Sequence, residues 1–215
     1  MNQQVPPKHP VIETSVPLDV YSKLVDECAQ NRIYQKFANS CPYHARYVIE
    51  KLFEIAHREL FLVTGALTLR SQSGVDIYAH PPVIEKALSY LDDPNVVLPI
   101  VIQTGTVDGG DDNVFLRQVI DAPRRNGTVE LYIPVPGLLT EKVHHFMMAD
   151  DIAYRLESKN EPRDRDEPIG AIANFGDAAE ATRLHAVFDA IKKRMEPTTS
   201  RKIACFKTGI KFKLP

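Results

Sequence analysis

The sequence predicts an α/β domain whose sheet is largely parallel or mixed and carries helices on both faces. Short apolar runs with the length of buried strands alternate with segments of helical periodicity. Proline opens two of the predicted helices, at Pro42 and Pro81, where its fixed φ angle suits the first turn. Hydrophobic residues make up 44% of the 215 residues and charged residues 25%, which is enough for a normal core.

The helices are predicted from apolar stripes and end signals. Within residues 41–60 the stripe has steps of three and four and comprises Ala45, Val48, Ile49, Leu52, Phe53, Ile55 and Ala56. Residues 81–93 begin with proline, and residues 113–127 end with a proline and an Asn-Gly turn. The last helix, 177–195, begins with the capping pair Asp177 and Glu180 and ends with three basic residues.

The strands are predicted from apolar runs and alternation. They cover residues 60–67, 95–105, 128–136, 143–157 and 169–175, and the fourth is either one long strand or a hairpin. Outside these elements, residues 1–40 are predicted to form an arm with short helices, rich in proline at its start. Residues 41–196 form the domain, and residues 197–215 form a tail with five basic and no acidic residues.

Charge and cysteine content limit the function classes. The net charge of −2 creates no general attraction for nucleic acid or anionic lipid, so such binding would need a local patch. The three cysteines lack metal-ligand spacing, which favours a reduced, cytoplasmic setting. No apolar run approaches the ~18 residues of a membrane helix, and no signal peptide is recognisable. No cofactor, metal or membrane insertion is expected.

The stretch KVHHFMMADDIAYRLE, residues 142–157, holds the candidate functional residues. His144 and His145 precede an apolar run, and Asp150 and Asp151 follow it. Neighbouring residues on a strand face opposite sides, so one histidine could be a surface residue and the other a core residue. The two aspartates could form a turn or could orient a histidine.

Four sequence patterns and a terminal helix together resemble the phospholipase D-like superfamily in its small, single-motif, endonuclease-type form. The helix–strand units VIEKLFEIAHRELFLVTGAL and VIEKALSYLDDPNVVLPIVI come first, and HHFMMADD, GAIANF and a terminal helix follow. The resemblance covers roughly residues 41–195 and implies the fold of that family. Its signature H-x-K-x-x-x-x-D places His144 on the motif histidine and Asp151 on the motif aspartate. Asn174 falls on the motif asparagine, with Ala171 in place of the serine.

The resemblance implies a phosphodiesterase or nuclease in which one histidine forms a phosphohistidine and a second protonates the leaving oxygen. A single-motif chain would supply the second histidine as a homodimer. Phe146, however, falls on the motif lysine, which would bind phosphate oxygens. Loss of such a donor typically costs about 10²–10³ in rate.

The sequence therefore predicts a catalytically degenerate member of this superfamily, a cytoplasmic inhibitor or adaptor that binds a protein. A plasmid or phage modulator, such as an inhibitor of conjugative transfer, is one such role. The alternative is the homodimeric phosphodiesterase, with His144, Asp151 and Asn174 as its site. The tail residues Lys202, Lys207, Lys211 and Lys213 are candidate contacts for nucleic acid or a partner.

Overall fold

A seven-stranded mixed sheet organises the computed structural model of the protein, with strand order β1-β7-β6-β5-β2-β3-β4. The structure describes residues 10–65, 76–103, 113–121, 126–132, 143–157 and 170–195. The strands are β1 Phe37–Ala38, β2 Leu60–Thr64, β3 Val97–Ile102, β4 Thr128–Tyr132, β5 Phe146–Ala149, β6 Ala153–Glu157 and β7 Ala171–Asn174. The helices are α1 Leu18–Asn31, α2 Pro42–Ile55, α3 Pro81–Leu91, α4 Val114–Asp121 and α5 Ala178–Met195.

The sheet has a parallel half and an antiparallel half. β2, β3 and β4 pair in parallel because a helix crosses over between each consecutive pair. β5 and β6 form a hairpin, β7 continues it, and β5 pairs antiparallel with β2. The predicted α/β class with a mixed sheet is confirmed, and residues 143–157 adopt the hairpin alternative.

Helices cover both faces of the sheet, as predicted. On one face, α1 to α4 pack with residues such as Leu62, Ile100 and Met147. On the other face, α5 buries Leu184 and Phe188 against a second apolar cluster that includes Phe61 and Phe146. The predicted start of α5 is also confirmed, since the Asp177 Oδ1 atom accepts a hydrogen bond from the Glu180 backbone N–H at 3.1 Å.

The described part of the N-terminal segment, residues 10–40, packs onto the domain. Tyr21 and Val25 of α1 are fully buried in the core of the α1–α4 face, and β1 pairs with β7. The Tyr21 hydroxyl donates to the Ala38 carbonyl oxygen at 3.0 Å, which ties α1 to β1. A domain boundary at residue 41 stays a prediction. Within the described residues, no helix is long and apolar enough to cross a bilayer.

Candidate functional site

The two histidines lie at one end of β5, where the parallel strands β2 and β3 have their carboxyl ends. We call this end of the sheet, formed by His144, His145 and Glu157, the histidine edge. Its backbone is fixed from the end of β3, across β2, because the Gln103 side-chain amide donates to the Val143 carbonyl oxygen at 2.9 Å and accepts from the Val143 N–H at 3.2 Å. The carboxyl ends of parallel strands are where α/β proteins commonly bind ligands.

His144 is exposed, and its ring is held by the backbone. Its Nδ1 atom lies 3.0 Å from the Glu157 carbonyl oxygen. A carbonyl oxygen only accepts hydrogen bonds, so Nδ1 carries the proton and Nε2 bears the lone pair of the neutral ring. This tautomer is the one that a nucleophilic or basic Nε2 requires.

His145 is held by a side chain instead. Its Nδ1 atom lies 2.9 Å from the Glu157 Oε2 atom, and 30% of the His145 side chain is exposed. The two neighbouring rings are therefore both fixed through Glu157, one by its carbonyl oxygen and one by its carboxylate.

From the half-buried His145 a series of buried polar side chains, Glu157, Arg155 and Asn39, runs into the protein, and we call these four residues the buried polar chain. The Arg155 Nη1 atom donates to the Glu157 Oε1 atom at 2.8 Å, and its Nε atom donates to the Asn39 Oδ1 atom at 2.8 Å. Arg155 is 3% exposed, Glu157 5% and Asn39 not at all. The buried polar chain thus connects the end of β1, at one side of the sheet, with the histidine edge.

The charged groups of the buried polar chain determine the ionisation of Glu157. Burial by itself raises the pKa of the Glu157 carboxyl, but the nearby Arg155 guanidinium and His145 outweigh burial and lower that pKa to about 2. Glu157 is therefore an anion at neutral pH. It neutralises Arg155, so the guanidinium offers little net charge to a ligand.

Phe146 lies in the core and not at the histidine edge. It is 2% exposed and belongs to the apolar cluster under α5. β5 directs the Phe146 side chain onto the sheet face that α5 covers. A cation at this position would have to leave the core to reach a ligand.

Asp150 and Asp151 form the turn at the opposite end of β5. Asp150 has a φ of 49°, and its carboxylate accepts hydrogen bonds from the backbone N–H groups of His57, Arg58 and Glu59 at 3.0–3.1 Å. Asp151 is exposed and pairs with Arg58 at 3.1 Å and with His185 at 3.4 Å. The turn interpretation of these aspartates is confirmed.

Asn174 also lies away from His144. Asn174 pairs with Tyr154 on β6, and Tyr154 in turn pairs with Met148 on β5. Asn174 is therefore level with Met148, which is four residues, or about 13 Å along the strand direction, from His144. Asn174 is fully buried, and its Oδ1 atom accepts from the Gly176 N–H at 2.9 Å. Ala171 lies elsewhere on β7, opposite Glu157. The structure does not bring His144, Asp151 and Asn174 together.

Replacement of Asp150 by alanine is expected to lower the free energy of unfolding by about 2–4 kcal/mol. The change leaves three backbone N–H groups without their charged acceptor and puts alanine at a positive φ. Asp151→Ala is the matched control and is expected to cost less than about 1 kcal/mol, because its ion pairs are exposed. Urea unfolding of both variants measures the difference in the free energy of unfolding. Equal losses of stability would contradict the conclusion that the Asp150 carboxylate fixes the backbone of residues 57–59.

Several predicted contacts lie outside the described residues. These are the tail residues Lys202, Lys207, Lys211 and Lys213. In the part of the chain that the structure describes, no group of three or more His, Cys, Asp or Glu residues could hold a metal ion.

The sequence interpretation missed Glu157, Arg155 and Asn39. A signal was present, because Arg155 and Glu157 are charged residues two positions apart on a strand whose neighbours are apolar. Two charged residues on the same face of such a strand indicate either a buried ion pair or a face that is exposed to solvent. Only the packing of α2 against the sheet distinguishes these two arrangements.

No family model and no curated protein matches the sequence. Solved structures with a similar course of the chain include TrmBL2, an archaeal chromatin protein with a novel mode of DNA binding (TM-score 0.48, 10% identity), over 86% of this chain and 61% of TrmBL2. Nuc of Salmonella typhimurium, a phospholipase D family member, matches with a TM-score of 0.48 and 10% identity, over 80% of this chain and 98% of Nuc. NucT of Helicobacter pylori matches with a TM-score of 0.46 and 10% identity, over 75% of this chain and 98% of NucT.

At these identities and TM-scores the likeness does not extend to activity, substrate or partner.

Proposed function

We propose that this chain works by binding a protein partner at the histidine edge and does not hydrolyse phosphodiesters. The observation that supports this proposal is the burial of Phe146 under α5. Where the resembled family uses a lysine to bind phosphate, this chain has a core residue. A regulatory role as inhibitor or adaptor fits such a protein, and a plasmid or phage setting remains a prediction.

The electrostatics of the edge support the same proposal. Hydrolysis of a phosphodiester needs fixed positive charge around the phosphate oxygens. Arg155, the described cation nearest to the histidine pair in the hydrogen-bond network, is neutralised by Glu157 at 2.8 Å. The remaining positive charge within this network would have to come from His145.

The sequence that follows the strands ending at this edge carries negative charge. In chain order, residues 66–75, 104–112, 133–142 and 158–169 come after the carboxyl ends of β2, β3, β4 and β6. Together they contain five Lys or Arg residues and eight Asp or Glu residues, a net charge of −3. Such a balance disfavours a polyanion and favours a partner with a basic or neutral surface.

A hydrolysis assay tests the proposal directly. The purified protein, His144→Ala and His57→Ala are incubated with bis(p-nitrophenyl) phosphate and with a short DNA duplex, without added metal. We expect all three proteins to give the background rate. A rate above background that falls at least about 10²-fold in His144→Ala, and not in the exposed control His57→Ala, would overturn the proposal.

The binding half of the proposal needs a separate experiment. A photo-reactive phenylalanine analogue is placed at position 144 or, as a control, at the exposed position 151 on the opposite end of β5. After irradiation in an extract of the source cells, we expect a defined protein adduct from position 144 and none from position 151. The same adduct from both positions would show that binding is not localised at the histidine edge.

The homodimeric phosphodiesterase is the second candidate, and the His144 tautomer favours it. With Nδ1 bound to the Glu157 carbonyl oxygen at 3.0 Å, the exposed ring presents Nε2 as a nucleophile. This candidate predicts the His144-dependent rate that the assay above looks for. Nucleic-acid binding through the basic tail stays a prediction, to be measured as salt-dependent binding that weakens when Lys207, Lys211 and Lys213 are neutralised.

A further inference from the structure

We propose that protonation of the buried His44 ring releases residues 10–39, which we call the N-terminal strap, from the rest of the domain. The strap consists of the chain before α1, α1 itself, β1 and Asn39. Its release is a conformational change built into the fold, and it does not depend on the proposed function.

His44, in the first turn of α2, contacts the strap at two points. Its Nε2 atom lies 3.2 Å from the Val16 carbonyl oxygen, just before α1. Its ring packs edge-on against the ring of Tyr21 in α1, with 4.1 Å between the ring centroids. The Tyr21 hydroxyl in turn donates to the Ala38 carbonyl oxygen of β1 at 3.0 Å. The His44 ring therefore holds the start of α1 directly and β1 through Tyr21.

These contacts require a neutral His44 ring. The Val16 carbonyl oxygen only accepts hydrogen bonds, so Nε2 carries the proton and Nδ1 bears the lone pair. His44 is 5% exposed, and within the described residues its Nδ1 atom has no hydrogen-bond partner. Protonation would therefore bury a charge and an N–H group that has no acceptor, and both changes are unfavourable.

The titratable and charged groups around the ring do not offset this cost. On α2 itself, the ring belongs to the first turn, where the helix dipole disfavours a cation. On the strap, the facing group is Tyr21, which stays neutral because burial raises its pKa. Tyr21 is also within electrostatic reach of Cys41, at the start of α2, and of the Arg155 cation on β6, which has the same sign as a protonated histidine. Burial accordingly lowers the pKa of His44, and the hydrogen bond to Val16 opposes this only in part.

The strap can leave while the sheet stays intact, because it packs at one side of the sheet. β1 pairs with β7 through two residues, and α1 packs on α2. Release would expose Tyr21 and Val25, which are both fully buried, and would remove Asn39 from Arg155. The pairing of β2 to β7 with one another would remain.

The lowered pKa fixes the sign of the pH dependence. Release returns His44 to water and to its ordinary pKa of 6.5, whereas the docked strap keeps that pKa lower. The stabilisation of the docked strap is therefore complete above pH 6.5 and is lost as the pH falls below it, by at most about tenfold in the docking equilibrium constant per pH unit. Between about pH 7.5 and pH 5.0 we expect a fall of about three- to thirtyfold.

Hydrogen exchange of the full-length protein at these two pH values measures the release. Each exchange rate is divided by the intrinsic rate of the same amide at that pH. The reporters are the Tyr21 amide in α1 and the Asn39 amide, which donates to the Ala171 carbonyl oxygen at 2.9 Å. Ile100 in the central strand β3 is the reference for global unfolding.

We expect the protection of both reporters to fall by the stated factor on going to the lower pH, and to lie below that of Ile100 at both pH values. Protection that does not change with pH would overturn the proposal. Equal protection of the reporters and Ile100 would also overturn it, because the strap would then leave only when the whole domain unfolds.

Two variants assign the effect to His44. His44→Gln keeps an N–H donor for the Val16 carbonyl oxygen but cannot be protonated, so the protection of its strap should change less than about twofold between the two pH values. The exposed His57→Gln is the matched control and should behave as the wild type. His80, whose pKa burial also lowers, is present in all three proteins, so its contribution cancels in the comparison. An equal fall in His44→Gln would reject His44 as the sensor.

A titration of the wild-type protein supplies a measurement that does not depend on how well the variants fold. The ring signals of His44, followed by nuclear magnetic resonance, should titrate with a midpoint below 6.5, the ordinary value for histidine. A midpoint at or above that value would overturn the proposal, because protonation would then not weaken docking of the strap.

Discussion

Arg155→Met is expected to lower the free energy of unfolding by about 3–5 kcal/mol, measured by urea denaturation at neutral pH. The substitution keeps most of the side-chain volume but leaves the Glu157 carboxylate, 5% exposed, without its guanidinium. It also leaves the buried Asn39 Oδ1 atom without its 2.8 Å donor. Breaking a buried pair costs more than removing both partners, because one charge stays in the core.

A surface pair provides the control for this experiment. Arg183 pairs with Glu180 at 2.6 Å on the exposed side of α5, and more than half of the Arg183 side chain is accessible. Arg183→Met should therefore change stability by no more than about 1 kcal/mol. Equal losses for the two arginine variants would contradict the buried ion pair.

The same pair gives a pH dependence of defined sign. Glu157 has a pKa of about 2 in the folded protein, below its ordinary value of 4.5. Its contribution to stability is complete above pH 4.5 and is lost as the pH falls through about 2. The stability difference between the wild type and Arg155→Met should accordingly become smaller in acid.

Phe146→Lys, the substitution that restores the lysine of the resembled motif, is expected to destabilise the protein by about 4–5 kcal/mol and to produce no phosphodiesterase activity. The side chain is 2% exposed and lies in the cluster with Phe61 and Phe188, so an ammonium group there would be buried without a partner. Phe146→Leu is the matched control and should cost less than about 2 kcal/mol, because it remains apolar.

Two measurements evaluate the lysine variant: its unfolding midpoint and its rate on bis(p-nitrophenyl) phosphate. A stable Phe146→Lys protein that hydrolyses the substrate would show that position 146 can reach the histidine edge. It would also place the phosphodiesterase first among the candidate functions.

Local sequence signals were sufficient for most elements of the fold. The apolar stripe of α2, the Asp177 cap of α5 and the buried runs of β2 and β3 each depend on residues close in sequence, and each is found where predicted. The sequence does not distinguish a hairpin at Asp150 from a single long strand, because a polar pair can either end one strand or connect two.

The candidate site could not be predicted in the same way. Asn39 and Arg155 are 116 residues apart, and only the pairing of β1 with β7 brings them together. The face that Phe146 occupies depends on α5 packing over β5, which the motif spacing does not contain. His144 and His145 were recognised from sequence, but the difference in what holds their rings comes from Glu157 on the adjacent strand.

The pairing of β1 with β7 has a consequence for synthesis of the protein. Phe37 and Ala38 pair with Ala173 and Ile172, so β1 leaves the ribosome long before its partner strand exists. At a translation rate of about 5–20 residues per second, the delay is roughly 7–27 s. During that time the apolar face of α1 and the ring of Phe37 lack part of their final cover. The nascent chain would therefore depend on chaperones or on temporary contacts with α2 until β7 emerges, and His145 would acquire its full support only in the last stage of folding.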